Sequence, residues 1–353
     1  MPHVESLEPK KKSFRVLFGQ KPLTKFKDYR SSIKVELIKY DDREKMLKGT
    51  YDFAKATWSE DGRESDRATV EEMQDALEQM LSGKALGLGL ETINLMFRIS
   101  GITRIDTHQI VRQRIGVTFS QQCTGDRFLS HNDALVEESI AKDPELLKSF
   151  IDSTLAAKNT YAKLNDNGIS IQAARSILPH NLETFIFMNT NLMTLLFFYQ
   201  KRIDDGSQTW EINEIARQMA EQVCNVYPEL KSVFEKHQSK FKFQKEASAD
   251  RKNTFSTSLY IPKQDEFDYH EKDFLYPMKK EDMHFTNTPI EPRYYWGSTP
   301  VRDTEYEAIK KVYSELDKDI HDNHYTRDEI LKKAEQLNQQ IDNFLSGQTQ
   351  TIA

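Results

Sequence analysis

Apolar and polar residues alternate along ETINLMFRIS. Ile93, Leu95, Phe97 and Ile99 fall on one face, and Thr92, Asn94, Met96 and Arg98 on the other. A period of two predicts a strand with one buried face, which Gly101 ends. IKVELIKY (33–40) and LETFIFMNT (182–190) read as two further strands. Elsewhere the period lengthens. Thr69-Val-Glu-Glu72 forms a capping box, and Met73, Leu77, Met80 and Leu81 carry a helical stripe on to Gly83. Thr103 caps a helix bearing His108, Gln109, Arg112 and Arg114. The pattern predicts a long helix over 143–165 and others over 191–203 and 211–226. Near the end, Ile309, Val312, Tyr313 and Leu316 share a face. Thr326-Arg-Asp-Glu329 is a second capping box, with Ile330, Leu331, Ala334, Leu337, Ile341 and Leu345 behind it.

These signals divide the chain into three zones. Residues 1–30 are basic and weakly patterned and read as an arm. Residues 31–230 are dense in regular elements. Residues 231–353 form an extension, aromatic, charged and proline-dotted at first and then closing in two helices. No internal repeat is visible.

Composition narrows the function. The chain has 353 residues, 49 Lys+Arg against 55 Asp+Glu, a net charge of -6 and 38% hydrophobic residues. That suits one large domain or two smaller ones. An acidic balance argues against general nucleic-acid binding, which needs a basic surface. An anion site would have to be a local pocket. Two cysteines, Cys123 and Cys224, give neither a disulfide framework nor metal spacing, and the nine histidines are scattered. No metal site is expected. There is no run of about 18 apolar residues to span a membrane, and the start lacks the apolar centre of a secretory signal. A cytoplasmic location is expected.

Candidate chemistry concentrates in HQIVRQRIGVTFSQQCTGDR (108–127), where Arg112, Arg114 and Arg127 stand among amides and hydroxyls with a single acid, Asp126. Gln109 and Arg112, three apart on the expected helix, share a face. Near Gly116 the helix gives way to VTFSQQCTGDR, read as a loop of donors ending at Arg127. Guanidinium makes bidentate, charge-assisted contacts to phosphate, so this convergence suits a phosphate-bearing ligand. The plainer reading is a solvated helix end whose arginines pair with distant acids.

GITRIDTHQIVRQRIGVTFSQQ resembles the signature of flavin-dependent thymidylate synthases: Arg-His-Arg, a short spacer and Ser-x-Arg, preceded by Gln-x-x-Arg. ALGLGLETINLMFRISG resembles the strand before that signature. AARSILPHNLETFIFMNTNLMTLLFFYQKR followed by WEINEIA resembles the second conserved half. The blocks keep the family's order over roughly residues 33–230. The resemblance implies an α/β (α+β) catalytic domain over 31–230, a mixed sheet flanked by helices, with a helical C-terminal extension. It implies a homotetramer with active sites at subunit interfaces. The implied reaction methylates C5 of dUMP to dTMP, with methylenetetrahydrofolate as carbon donor and FAD reduced by NADPH as hydride source.

The resemblance also implies roles. Gln109 and Arg112 match the Gln-x-x-Arg that meets nucleotide and flavin. Arg114 matches a flavin contact, with Gln113 between the two arginines on the cofactor side. Ser120, Gln121, Gln122 and Cys123 match the segment that wraps dUMP, with Arg127 as its phosphate ligand. Arg175 matches a second nucleotide-binding arginine and Asn191 a flavin-binding asparagine. Arg202 matches the arginine that polarises the uracil ring at N3, and so it is the catalytic candidate. The departures lie on the flavin side. Gln113 replaces the signature histidine, Thr92 replaces an upstream histidine, and Met193 and Phe197 replace an arginine and an asparagine. Cys123 takes the place of the signature serine. A thiol there opens a nucleophilic reading, although the family needs no enzyme nucleophile. Two other readings stay open: a divergent C5 methylase or hydroxymethylase acting on dCMP or dUMP, and a non-catalytic nucleotide-binding relative.

Overall fold

The computed structural model describes residues 19–85, 87–125, 129–203, 209–235 and 291–352. Arg127 therefore lies outside the described residues, as do most of the expected arm and residues 236–290 of the extension. The described strands are β1 (Leu23–Asp28), β2 (Lys34–Lys39), β3 (Asn94–Ile102), β4 (Val117–Gln121), β5 (Ala134–Val136), β6 (Thr184–Asn191), β7 (Arg293–Trp296) and β8 (Thr299–Val301). They form two four-stranded sheets, ordered β2-β3-β6-β4 and β5-β1-β7-β8.

The first sheet is antiparallel throughout. Leu95, Phe97 and Ile99 of β3 are fully buried beside Ile186 and Met188 of β6, as the alternation requires. Helices Leu192–Arg202 and Trp210–Val226 share this core, contributing Leu195, Phe198, Ile215 and Met219. On the other face, Arg98 pairs across the strands with Glu36 at 2.6 Å. Gly101 does not end β3 as its type suggested. It sits at φ +67°, where the register with β6 shifts, and the strand runs on to Ile102. A Cβ there would lie 1.7 Å from the Ser32 carbonyl oxygen, so only glycine lets the two chains approach.

The second sheet corrects the expected arm. Residues 23–28 form β1, which pairs parallel with β5 and antiparallel with β7. Leu23 packs into a cluster with Trp296, Ile309 and Tyr313, whereas Phe26 packs into another with Val136 and Leu155. A strand buried on both faces shows no alternation, which is why it escapes a periodicity reading. The extension likewise contributes a hairpin, β7–β8, ahead of helices Asp303–Asp322 and Arg327–Leu345. It is stitched to the rest by Lys21 on Asp342 (2.7 Å) and by Asn338 on the Gly19 carbonyl (2.5 Å), while Trp296 ties the hairpin to the same Asp342 at 3.0 Å. No helix among the described residues is long and apolar enough to cross a membrane.

Candidate active site: a helix with cations at both ends

The short helix Arg104–Ile110 organises the site. Thr103 caps it. Asp106, at the third helical position, accepts from the Thr103 backbone N–H at 2.7 Å and from its hydroxyl at 2.9 Å. The buried Tyr29 hydroxyl donates to the same carboxylate oxygen. Burial pushes the Asp106 carboxyl up to about 7, against the pull of the Thr103 bond.

At the N-terminal end, Arg104 and His108 stand one turn apart and line a cavity of about 320 Å³ with Arg175, His180, Gln122 and Glu183. Arg104 donates to the Gln122 carbonyl at 3.1 Å and to Thr124 Oγ1 at 3.4 Å. Arg175 reaches that same hydroxyl at 3.3 Å from the far side. Two guanidiniums thus meet at one neutral oxygen. Burial first, and then the Arg175 charge, hold Arg104 below its usual range. His108 and His180 face each other with ring centroids 6.3 Å apart. Leu129, Leu178 and Leu182 give the cavity an apolar side. This arrangement can hold an anionic group at the cationic end and a less polar body beyond it.

At the C-terminal end, Arg202 is buried, only 8% exposed, and donates to the Gln109 carbonyl at 2.8 Å. Burial, then the neighbouring Arg112 charge, lower its pKa. The helix is shorter than expected. In a continued helix the Gln109 carbonyl would accept from the Gln113 N–H. Here it accepts from Arg202, and the Gln113 N–H bonds the Ile110 carbonyl at 3.2 Å. The helix stops at Ile110, so Arg112 and Arg114 are not on it and Gln109 shares no helix face with Arg112. Both arginines are exposed, and neither makes a hydrogen bond or ion pair among the described residues.

The expected donor loop is also corrected. Val117–Gln121 is β4, paired with β6 from Val117↔Thr190 to Gln121↔Ile186. Val117, Phe119 and Gln121 turn inward while Thr118 and Ser120 are exposed, an alternation masked in sequence by its polar members. Gln121 donates to Thr107 at 2.6 Å, and Gln122 accepts from Thr184 at 3.2 Å. Cys123 is exposed and accepts from the Gly125 N–H at 3.3 Å. Gln113 donates to the Ile115 carbonyl at 3.3 Å. Asn191 caps Leu192–Arg202 through the Thr194 N–H at 2.8 Å.

The sites named from sequence therefore fall into two groups: Gln122 and Arg175 with Arg104, and Gln109 and Arg112 with Arg202. Arg104, His108 and His180 were not singled out as site residues. A signal for two of them existed. Arg104 follows the Thr103 cap, and His108 stands four residues on, so both project from one face of the signature helix.

The family model for the thymidylate synthase complementing proteins matches residues 36–229. A flavin-dependent thymidylate synthase of Pyrococcus horikoshii is 36% identical over 152 residues, 41% of this chain and 60% of the relative. One of Thermococcus kodakarensis is 31% identical over 204 residues, 55% of this chain and 80% of the relative. A solved UMP/dUMP methylase from Streptomyces cacaoi, bound with 5-Br dUMP, aligns with a TM-score of 0.49 at 17% identity, over 60% of this chain and 96% of its own. The chain belongs to the thymidylate synthase complementing protein family. It spans about 60% of the length of the first archaeal relative.

Proposed function

We propose that this chain is a flavin-dependent thymidylate synthase, methylating C5 of dUMP to dTMP. The observation that carries the reading is the pair of guanidiniums, Arg104 and Arg175, gathered at Thr124 on a cavity wall, with no carboxylate among the described residues bonded to either. Like charges held together at a neutral hydroxyl repel, and a phosphate relieves that repulsion.

The chain's own residues divide the work. Arg104 and Arg175 bind the nucleotide phosphate, with Arg127 as a further ligand from the segment after Gly125. Gln122 lines that end, and Ser120, Gln121 and Cys123 flank it along the chain. Arg202 is already fixed by the Gln109 carbonyl. It stabilises negative charge that builds on the N3–O2 edge of the ring, without having to reorganise. The free, exposed guanidiniums of Arg112 and Arg114 fit the diphosphate of FAD, with Gln113 and Asn191 beside them. When bound, the flavin supplies the hydride, drawn from NADPH, and methylenetetrahydrofolate supplies the carbon. Ile105, next to Arg104, and Ile115, next to Arg114, are exposed, which supports a site completed by neighbouring subunits of a homotetramer. We place the enzyme in the cytoplasm.

Two measurements test this. The purified protein should carry or take up a yellow flavin, and should convert dUMP to dTMP with methylenetetrahydrofolate and NADPH, read by product mass. Arg175→Ala should weaken dUMP binding roughly 10–100-fold, the worth of one or two charge-assisted contacts. Unchanged affinity in calorimetry would remove Arg175 from the phosphate site.

Cys123→Ser should retain turnover within about threefold, because serine keeps the acceptor for the Gly125 N–H and no thiol chemistry is required. Complete loss of activity in a normally folded variant, with a thioether adduct trapped in the wild type, would make Cys123 the nucleophile.

A further inference from the structure

Among the described residues, one carboxylate stands on the wall of the cavity that holds Arg104 and Arg175: Glu183. An unmasked carboxylate there opposes any anion entering the cavity. It is not unmasked. Its Oε2 accepts from Lys27 Nζ at 2.7 Å, and the same ammonium reaches Asp133 Oδ2 at 2.7 Å. Asp133 is itself held at its other oxygen, by the Lys25 backbone N–H at 3.3 Å and the Tyr306 hydroxyl at 3.4 Å. The backbones are fastened as well. The Glu183 N–H donates to the Asp133 carbonyl at 2.9 Å, and the Asn132 side-chain amide donates to the Glu183 carbonyl at 3.1 Å. Burial works to lower the Lys27 pKa, but the bonds from Asp133 and Glu183 outweigh it and hold the amine above its usual range. Lys27 comes from β1, Asp133 precedes β5, Glu183 precedes β6, and Tyr306 belongs to the C-terminal helix Asp303–Asp322.

We propose that Lys27 is a positioning residue that masks the charge of Glu183 at the cavity, and that Tyr306 of the C-terminal region fixes it there by gripping Asp133. The phosphate-accepting character of the cavity then depends on a residue outside it and on the extension packed behind it. The inference rests on the nucleotide reading above for its natural ligand, but its electrostatics apply to any phosphate. It gives residues 291–352 a task at the active site, where sequence offered none.

The test measures binding of inorganic phosphate and of dUMP by calorimetry in the full-length protein. Lys27→Met should weaken both roughly 10-fold, the effect of restoring one bare carboxylate near the anion. Lys27→Arg, which keeps the charge, should bind nearly as the wild type does. In the double variant Lys27→Met/Glu183→Gln, affinity should return to within about threefold of wild type. A merely structural lysine would not be rescued by neutralising the acid. Tyr306→Phe should give a smaller loss, about twofold to threefold, since Lys25 still holds Asp133. Wild-type affinity in Lys27→Met, or a double variant as weak as the single, overturns the proposal. A wild type that binds phosphate but not dUMP would sink the nucleotide reading and leave the charge test standing. Binding of neither ligand by the wild type overturns both.

Discussion

Arg202→Ala will lower kcat by about 10²–10³-fold while changing the affinity for dUMP far less, the loss seen when one preorganised charge-stabilising donor is removed. The expectation follows from where the guanidinium is held. Arg202 is buried, rests over the Phe198 ring at 5.6 Å and is anchored on the Gln109 carbonyl. A donor fixed before substrate arrives spends nothing on reorganising when charge develops. Arg202→Lys keeps the charge but loses the planar fork, and should fall between wild type and alanine. The alanine variant also loses the bond to the Gln109 carbonyl at the end of the signature helix, which should register as a modest shift in thermal midpoint. Single-turnover kinetics with saturating dUMP separate the two effects. A variant with normal kcat and weakened binding would take Arg202 out of the chemistry.

Lys158→Met will flatten the pH dependence of stability in mildly alkaline solution. Lys158 is completely buried on the long helix Pro144–Asp166. Its ammonium donates to Thr24 Oγ1 and to the Asn132 carbonyl at 2.6 Å, and it makes no ion pair among the described residues. Burial lowers its pKa far below the usual lysine range, to about 7, with Asp133 acting in the opposite direction. His131, also buried and held neutral by burial and by the Lys158 charge, stacks on Tyr313 nearby. The sign follows directly. The unfolded chain binds the lysine proton more tightly than the folded protein. Stability therefore rises with pH between the folded and unfolded values, by on the order of 1.4 kcal/mol per unit, and the slope vanishes below about pH 7. The buried acids act in the opposite direction. Asp106 is raised to about 7 by burial, and burial with the adjoining Glu211 carboxyl raises Glu137. Their contribution is lost as pH climbs through those values. Comparing wild type with Lys158→Met by urea unfolding at about pH 8 and pH 9.5 isolates the lysine, because the other groups titrate in both, and the variant should lack the lysine's contribution of roughly 2 kcal/mol. An unchanged slope in the variant would mean that the amine titrates near its ordinary value.

Local patterns in the sequence determined most of the central domain and the last helix of the extension. The buried face of β3, the Thr69 and Thr326 capping boxes, and helices Pro144–Asp166, Leu192–Arg202 and Trp210–Val226 all follow from signals spanning a few residues. The arginine-rich stretch and its two partner blocks also carried the family, since motif order needs no coordinates. What tertiary structure alone decided depended on distant partners. β5 has three residues, too few to show a period, and becomes a strand because β1 lies alongside it. At the end of the signature helix the Gln109 carbonyl accepts from Arg202, 93 residues further on. Arg104 becomes a site residue because Arg175 meets it at Thr124. A sequence lays down propensities at short range. A hydrogen bond or a repulsion between residues far apart along the chain exists only once folding has closed the loop between them, and those contacts placed the charges of this site.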